Sequence, residues 1–374
     1  MVSVDKIYST FLENGVDFFT GVPDSLLADI CAYITDHTPP HNHIISANEG
    51  SAIGIASGYY MASGEIPLVY MQNSGIGNSI NPLLSLADEK VYSLPILLMI
   101  GWRGEPGTKD EPQHKKQGEV TLELLEAMNI PYTVLSNEEE TAIQEVKAII
   151  NATKAQSKPH AIVIRKNIFE KYKLQNKSQN QFELSREEAL KLIVDSLGDS
   201  DIIVSTTGKL SRELFEYREE KKQSHEKDFL TVGSMGHSSS IALGIALKKT
   251  DRNVFCLDGD GAFIMHMGAI TNIGNLPLPN YHHIVFNNGA HESVGGQPTL
   301  GFELDIPAIA KSCGYKEAWV ATHKNEILSA INSMKESEGP TLLEVRVNIS
   351  SRADLGRPTT STIENKNAFM EFLK

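Results

Sequence analysis

Twice along this chain, short runs rich in β-branched and apolar residues alternate with stretches of helical periodicity, and this alternation limits the fold more than any other feature. In the first half the pattern predicts a helix over Val4–Asn14 that stops at Gly15, and a strand over Asp17–Thr20. A second helix is expected after Pro23, Asp24 and Ser25, then a strand over Ile44–Ala47 and a helix over Glu49–Ser63. Further strands are expected at Leu68–Met71, Pro95–Ile100, Tyr132–Leu135 and Ala161–Arg165. The composition then turns polar (KNIFEKYKLQNKSQNQF, from Lys166) and reads as a linker. Order resumes at Ser185, whose spacing to Glu188 is that of a capping box. Strands follow at Ile202–Thr206, Val254–Asp258, His283–Asn287 and Thr341–Val347. Near-continuous apolar strands separated by helices call for parallel sheets covered on both faces. The expectation is an α/β chain of two doubly wound parallel-sheet domains, residues 1–165 and 185–374, with a linker over 166–184.

Charge narrows the function. Lys and Arg total 34 against 47 Asp and Glu, a net charge of −13. Nucleic acid and anionic membranes require a basic footprint that this balance does not offer. An anionic substrate would have to be met by a local group of cations. Cys31, Cys256 and Cys313 stand far apart in apolar settings, which favours core packing in a reducing compartment over a thiolate metal site. The N-terminus has the pattern of an amphipathic helix rather than a signal peptide. The run Leu94–Ile100 is too short to span a bilayer, so a cytoplasmic protein is expected.

The segment Val254-Phe-Cys-Leu-Asp-Gly259-Asp260-Gly261-Ala262 carries an apolar strand into a Gly-Asp-Gly turn. Glycines let a backbone approach a phosphate, and a helix start supplies N–H groups and a positive dipole end. Asp260 would repel a bare phosphate, which calls for a divalent cation between them. The next strand ends in Asn287-Asn288-Gly289-Ala290, where amide and carbonyl oxygens are hard donors suited to Mg2+. Gly-Asp-Gly alone is an ordinary turn, and the pair of motifs is what discriminates.

Together these motifs resemble the diphosphate–metal signature of the thiamine-diphosphate-dependent 2-oxo-acid decarboxylases. The resemblance implies Asp260, Asn288 and the Ala290 carbonyl as metal ligands, with Gly259, Gly261 and Ala262 beside the diphosphate. Two further segments fit. In Ser46-Ala-Asn-Glu49-Gly, Glu49 leaves a strand and opens a helix of small residues. It matches the carboxylate that hydrogen-bonds N1′ of the cofactor's aminopyrimidine, and its bland reading is a first-turn helix acid. In Thr231-Val-Gly233-Ser-Met235-Gly236, Met235 matches the residue that bends the cofactor, and Gly233 the carbonyl that meets its 4′ amine. Thr207 and Gly208, after another strand, are candidate donors to the diphosphate. The family's larger members have a central third domain for which the linker leaves no room. The family also builds its site between two subunits, so at least a homodimer is implied.

Within the family, the two-domain layout and several segments are most similar to the branch acting on phosphonopyruvate, with the sulfopyruvate branch next. These segments include Gly21–Ser25, Gln72–Pro82, Arg103–Gly107, Asp110–Gly118, Asn287–Pro298 and Gly356-Arg-Pro-Thr-Thr. The implied reaction is loss of CO2 from a small dianionic 2-oxo acid, phosphonopyruvate, to leave phosphonoacetaldehyde. Asp24 and Ser25 match the turn where relatives place a proton-transfer or carboxylate-binding group, while Asn73 stands where some carry His. Arg103, Lys109, His114, Lys115 and Lys116 are read as an anion clamp on a long Gly/Pro-rich loop, and His114 and His291 as further proton-transfer candidates. Singly, each of these charges is better read as a solvated surface group. A non-catalytic thiamine-diphosphate-binding subunit is the rival from another class. It would be expected to lack Glu49 or Asp260, and this chain has both.

Overall fold

A computed structural model describes residues 1–176 and 180–374; positions 177–179 of the expected linker lie outside the described residues. The chain divides into two compact units, Met1–Lys177 with His291–Pro298, and Ser178–Ala290 with Thr299–Lys374. Each contains one six-stranded sheet whose neighbouring strands all run parallel. The expected α/β class and doubly wound sheets are what the chain forms.

In the first unit the strands are β1 (Phe19–Gly21), β2 (His43–Ile45), β3 (Leu68–Gln72), β4 (Leu97–Gly101), β5 (Tyr132–Val134) and β6 (His160–Ile164). In the second they are β7 (Ile202–Ser205), β8 (Asp228–Leu230), β9 (Val254–Gly259), β10 (Tyr281–Asn287), β11 (Glu317–Ala321) and β12 (Thr341–Arg346). The sheet orders are β2-β1-β3-β4-β6-β5 and β11-β12-β10-β9-β7-β8. Read from its other end, the second is the first repeated six strands on. In both, the chain leaves the opening strand in one direction and returns on its other side, which opens a crevice at the carboxyl ends of β1 and β3 and of β7 and β9. Doubly wound sheets bind ligands at such switch points.

Apolar burial on both faces accounts for the central strands. Leu97, Leu98, Met99 and Ile100 of β4 and Val254, Phe255, Cys256 and Leu257 of β9 are all essentially inaccessible. Alternate residues feed different clusters: Phe255 and Leu257 pack with Leu214 and Ile331, whereas Val254 and Cys256 pack with Ala242 and Ile273. Two strands were not expected. β8 and β11 are short or half-exposed, at or beside a sheet edge, where apolar periodicity is weakest.

The described part of the linker is not an open tether. Val2 pairs with Phe169, Ile168, Phe169 and Leu174 are buried, and the N–H groups of Gln175 and Asn176 bond the Asp36 carboxylate. On the other side Phe182 and Asn348 exchange hydrogen bonds of 2.7 Å in both directions. The apolar residues scattered through that polar stretch explain its docking. The capping box at Ser185 and Glu188 is formed. No helix among the described residues is long and apolar enough to cross a membrane.

Candidate active site

Within the first unit, the carboxyl ends of β1 to β4 gather Asp24, Glu49, Asn73 and Arg103. Asp24 lies at the switch point and is wholly buried. Its carboxylate accepts from the Leu26 N–H at 2.9 Å and from Gln72 Nε2, at the end of β3, at 2.5 Å. Burial pushes its pKa up, against the pull of the Gln72 bond, the backbone bonds and Arg103. Gly101 at the end of β4 backs directly onto this carboxylate, leaving no room for a Cβ.

Glu49 is the first residue of the helix Glu49–Ser63, which Asn48 caps by accepting from the Ser51 N–H at 2.9 Å and Gly64 ends with φ +76°. The Glu49 side chain is buried, and Asn78 Nδ2 donates to its Oε2 at 2.7 Å. A Cβ on Gly75 would stand 2.5 Å from Oε1, so the glycine is what lets the carboxylate occupy this place.

Arg103 follows β4. Its Nε and Nη2 donate to Asp110 at 2.8 and 2.5 Å, and Nη1 donates to Ser25 at 2.7 Å. These bonds do not exhaust the guanidinium's donors. Asn73 is buried with its amide fully engaged. Nδ2 donates to the Arg103 carbonyl and to Thr121, both at 2.8 Å, and Oδ1 accepts from the Arg103 N–H at 3.2 Å.

The long Gly/Pro-rich loop expected to carry Arg103, Lys109, His114, Lys115 and Lys116 is corrected in its second part: a helix runs over Pro112–Ala127, with Pro112 in its first turn. His114, Lys115 and Lys116 sit on that helix, which is fastened to β4's end by Trp102 Nε1 donating to the Gly118 carbonyl at 2.9 Å. A Cβ on Gly118 would run into the Gly104 backbone, and one on Gly104, at φ +70°, into the His114 carbonyl, so neither position has room for one. His114 does not join the cationic group: burial, then Arg103's charge, lowers its pKa to about 4, leaving it neutral at pH 7. Lys109 and Lys115 are exposed, and exposed Lys116 pairs with Glu119. His291 is also held neutral by burial, at about 4, and its main-chain N–H donates to the Gln297 carbonyl at 2.8 Å.

Within the second unit, the equivalent strand ends present mostly backbone. After β7, Gly208 at φ +102° caps the helix Lys209–Glu220. Thr207 spends its hydroxyl hydrogen on the Val232 carbonyl at 2.8 Å, so its main-chain N–H is the donor left for an anion. After β8 come Gly233, half-exposed Met235 and Gly236, the last at φ +84° against the ring of His266. β9 runs through Gly259 into a helix that starts at Asp260 and contains Gly261 and Ala262. Buried Asp260 accepts from the Thr299 hydroxyl, and burial raises its pKa to about 6.

β10 ends at Asn287. The Asn288 Oδ1 accepts from the Ala290 N–H at 3.0 Å, closing a tight turn through Gly289 at φ +69°. Residues 299–301 fold back on both segments: the Thr299 N–H donates to the Gly289 carbonyl at 3.0 Å, and Gly301 leaves no room for a Cβ beside Asp260 and Asn287. Among the described residues no Lys, Arg or His side chain bonds Asp260. A buried carboxylate without a cation, beside amide and carbonyl oxygens, has the donor chemistry of a hard divalent ion. These residues fit a Mg2+-bound diphosphate. Thr299 and Gly301 were missed because only the folded chain brings them to β9.

The second unit gathers glycine backbone, N–H groups and a buried carboxylate at its strand ends, and the first holds buried carboxylates and an arginine. Comparison with known proteins identifies the family. The N-terminal thiamine pyrophosphate-binding domain of thiamine pyrophosphate enzymes matches residues 2–127, and the C-terminal one matches residues 206–345. The phosphonopyruvate decarboxylase of Streptomyces hygroscopicus is 30% identical over all of this chain and 94% of its own length. That of Streptomyces viridochromogenes is also 30% identical, over all of this chain and 95% of its own. The sulfopyruvate decarboxylase of Methanosarcina acetivorans is 26% identical over 88% of this chain and 87% of its own. This chain belongs to the family of thiamine-diphosphate-dependent 2-oxo-acid decarboxylases. It is a lyase that releases CO2 from a 2-oxo acid.

Proposed function

We propose that the 2-oxo acid is phosphonopyruvate and the products are phosphonoacetaldehyde and CO2. The observation that carries the reading is Arg103. In a chain of net charge −13 it is the one expected cation that lies half-buried at a strand end, bonded to Ser25 beside Asp24. A planar guanidinium with donors to spare suits a carboxylate or phosphonate oxygen. The names of the two 30%-identical relatives point to the same substrate.

Bound thiamine diphosphate supplies the electron sink for decarboxylation. In this reading Asp260, Asn288 and the Ala290 carbonyl hold Mg2+. Gly259, Gly261, Ala262 and the N–H groups of Thr207 and Gly208 receive the diphosphate, while Gly233 and Met235 face the pyrimidine. Glu49 holds the proton at the pyrimidine N1′, and Asn78 and Gly75 fix its carboxylate. Asp24, protonated more readily than an ordinary aspartate because it is buried, stands ready to return a proton to the product. Asn73 supports the Arg103 loop rather than touching substrate. Lys109 and His291 keep a place only as outer contacts to the anionic head.

The chain is read as at least a homodimer. The helices Glu49–Ser63 and Ser238–Lys248 are largely apolar around their circumference, yet Gly54, Gly58 and Gly244 have nothing near them, and Met61 and Leu247 are 65% and 52% exposed. A second copy is the surface that would cover them.

Purified protein with thiamine diphosphate and Mg2+, offered phosphonopyruvate, sulfopyruvate and pyruvate in parallel, tests the substrate by CO2 release. Preference for phosphonopyruvate supports the reading. Preference for sulfopyruvate, which the 26%-identical relative keeps open, would retain the mechanism and replace the substrate. No release from any would favour the binding-subunit alternative.

A further inference from the structure

Glu344 lies on β12, is completely inaccessible, and touches none of the residues assigned to the cofactor. A carboxylate so placed is costly to desolvate, and its counter-charge, Arg346, is itself part-exposed. Oε1 accepts from Arg346 Nε at 2.9 Å and from Asn287 Nδ2 at 2.8 Å. The second Asn287 N–H goes to the Gly301 carbonyl at 2.7 Å. Asn287 therefore sits between two groups that only accept. Its amide nitrogen must face them, and its oxygen is turned to the Gly289 N–H at 3.1 Å.

That orientation governs two segments at once. One is the turn through Gly289, where a Cβ would stand 2.5 Å from the Phe302 ring, and which carries Asn288 and the Ala290 carbonyl. The other is the 299–301 segment, whose Gly301 carbonyl is tied to Asn287 and whose Thr299 hydroxyl bonds Asp260. A glutamine at 344 could pair with either face of the Asn287 amide; a carboxylate permits one.

We propose that Glu344 is a positioning residue. Through Asn287 it sets the geometry of the turn that bears Asn288 and Ala290 and of the segment whose Thr299 holds Asp260, and so the affinity for the divalent cation. The proposal rests on the metal–diphosphate reading given above. Outer partners of metal ligands are typically worth roughly 10- to 100-fold in affinity, and that is the loss expected here.

The test is Mn2+ titration by electron paramagnetic resonance, with saturating thiamine diphosphate, on the full chain. Glu344→Gln is expected to weaken Mn2+ binding by roughly 10- to 100-fold, while excess metal restores kcat. Asn287→Ser should do the same, and the double variant should be no worse than Asn287→Ser alone, because both lie on one path. Arg346→Lys, which keeps the counter-charge and leaves the Glu344–Asn287 bond in place, should keep near-normal affinity. Wild-type Mn2+ affinity in Glu344→Gln, or losses that add in the double variant, would overturn the proposal. If Glu344→Gln does not fold, Asn287→Ser decides alone, and unchanged affinity there is equally fatal. Asp260→Ala separates the two levels: if it still binds Mn2+ normally, the metal site itself is misplaced; if it does not, while Glu344→Gln is normal, only the role of Glu344 fails.

Discussion

The two units share one strand order and use it differently. At the ends of β1 to β4 the chain places acidic and cationic side chains: Asp24, Glu49 and Arg103, each buried or half-buried and each fixed by neighbouring side chains. At the equivalent ends of β7 to β10 it places glycines, N–H groups and, following β9, the carboxylate of Asp260. The parallel sheet supplies the same crevice twice, and the sequence at the strand ends decides what the crevice does. Bulk in the first crevice is set by what glycine excludes: Gly75 and Gly101 make room for a carboxylate each. In the second, glycine shapes the backbone itself, at Gly208, Gly236 and Gly289. In the proposed function the first unit carries proton transfer and substrate charge, and the second carries cofactor attachment.

That division can be broken experimentally. The largest effect is expected for Glu49→Gln, which should lower CO2 release by roughly 10²–10⁴-fold while leaving the fold intact by circular dichroism. Turnover within a few-fold of wild type would remove Glu49 from the chemistry. Gly75→Ala should mimic it, since the added Cβ would displace the same carboxylate.

Next comes Arg103→Ala. Loss of a charge-assisted contact should raise KM for phosphonopyruvate by roughly 10- to 100-fold and leave any pyruvate turnover nearly unchanged. A uniform fall in kcat for both substrates would instead make Arg103 a support for Asp24. Arg103→Lys should rescue little, because Lys cannot reproduce the fork between Asp110 and Ser25.

The smallest effect concerns stability, and in the second unit it centres on His282. His282 is inaccessible, with Nδ1 on the Thr341 hydroxyl at 2.8 Å, and burial lowers its pKa from 6.5 to about 4. A folded-state pKa below the unfolded value means the unfolded chain binds the extra proton. The stability due to neutral His282 is full above pH 6.5 and is lost as pH falls towards about 4. Its size is on the order of 3 kcal/mol at most. Urea midpoints of wild type and His282→Gln, compared from pH 7 to 4, should converge as the medium is acidified. Parallel curves would show that His282 does not titrate in this window.

Much of this was legible from residues because the signals were local. The helix Glu49–Ser63 is bounded by Asn48 and Gly64, and the sequence pattern placed both its ends. Gly-Asp-Gly and Asn-Asn were visible because each directly ends an apolar strand. The segment before Gly118 was misread because Gly104, Gly107 and Pro112 are loop signals, whereas Pro112 opens a helix. His114 was counted as a cation because sequence does not reveal burial beside Arg103. Thr299, Gly301 and Glu344 carry no local signature at all. They reach Asp260 and Asn287 across 39, 14 and 57 residues of chain. Pairings of that range belong to the fold, and only the sheet order brings them together.

The division of labour is tested most directly by titrating thiamine diphosphate, at saturating Mg2+, into the Glu49→Gln and Asp260→Ala variants by calorimetry. The account predicts that Glu49→Gln still binds the cofactor, within about tenfold of wild type (about 1.4 kcal/mol), and that Asp260→Ala shows no binding at concentrations that saturate the wild type. Normal binding by Asp260→Ala, or loss of binding confined to Glu49→Gln, would contradict it.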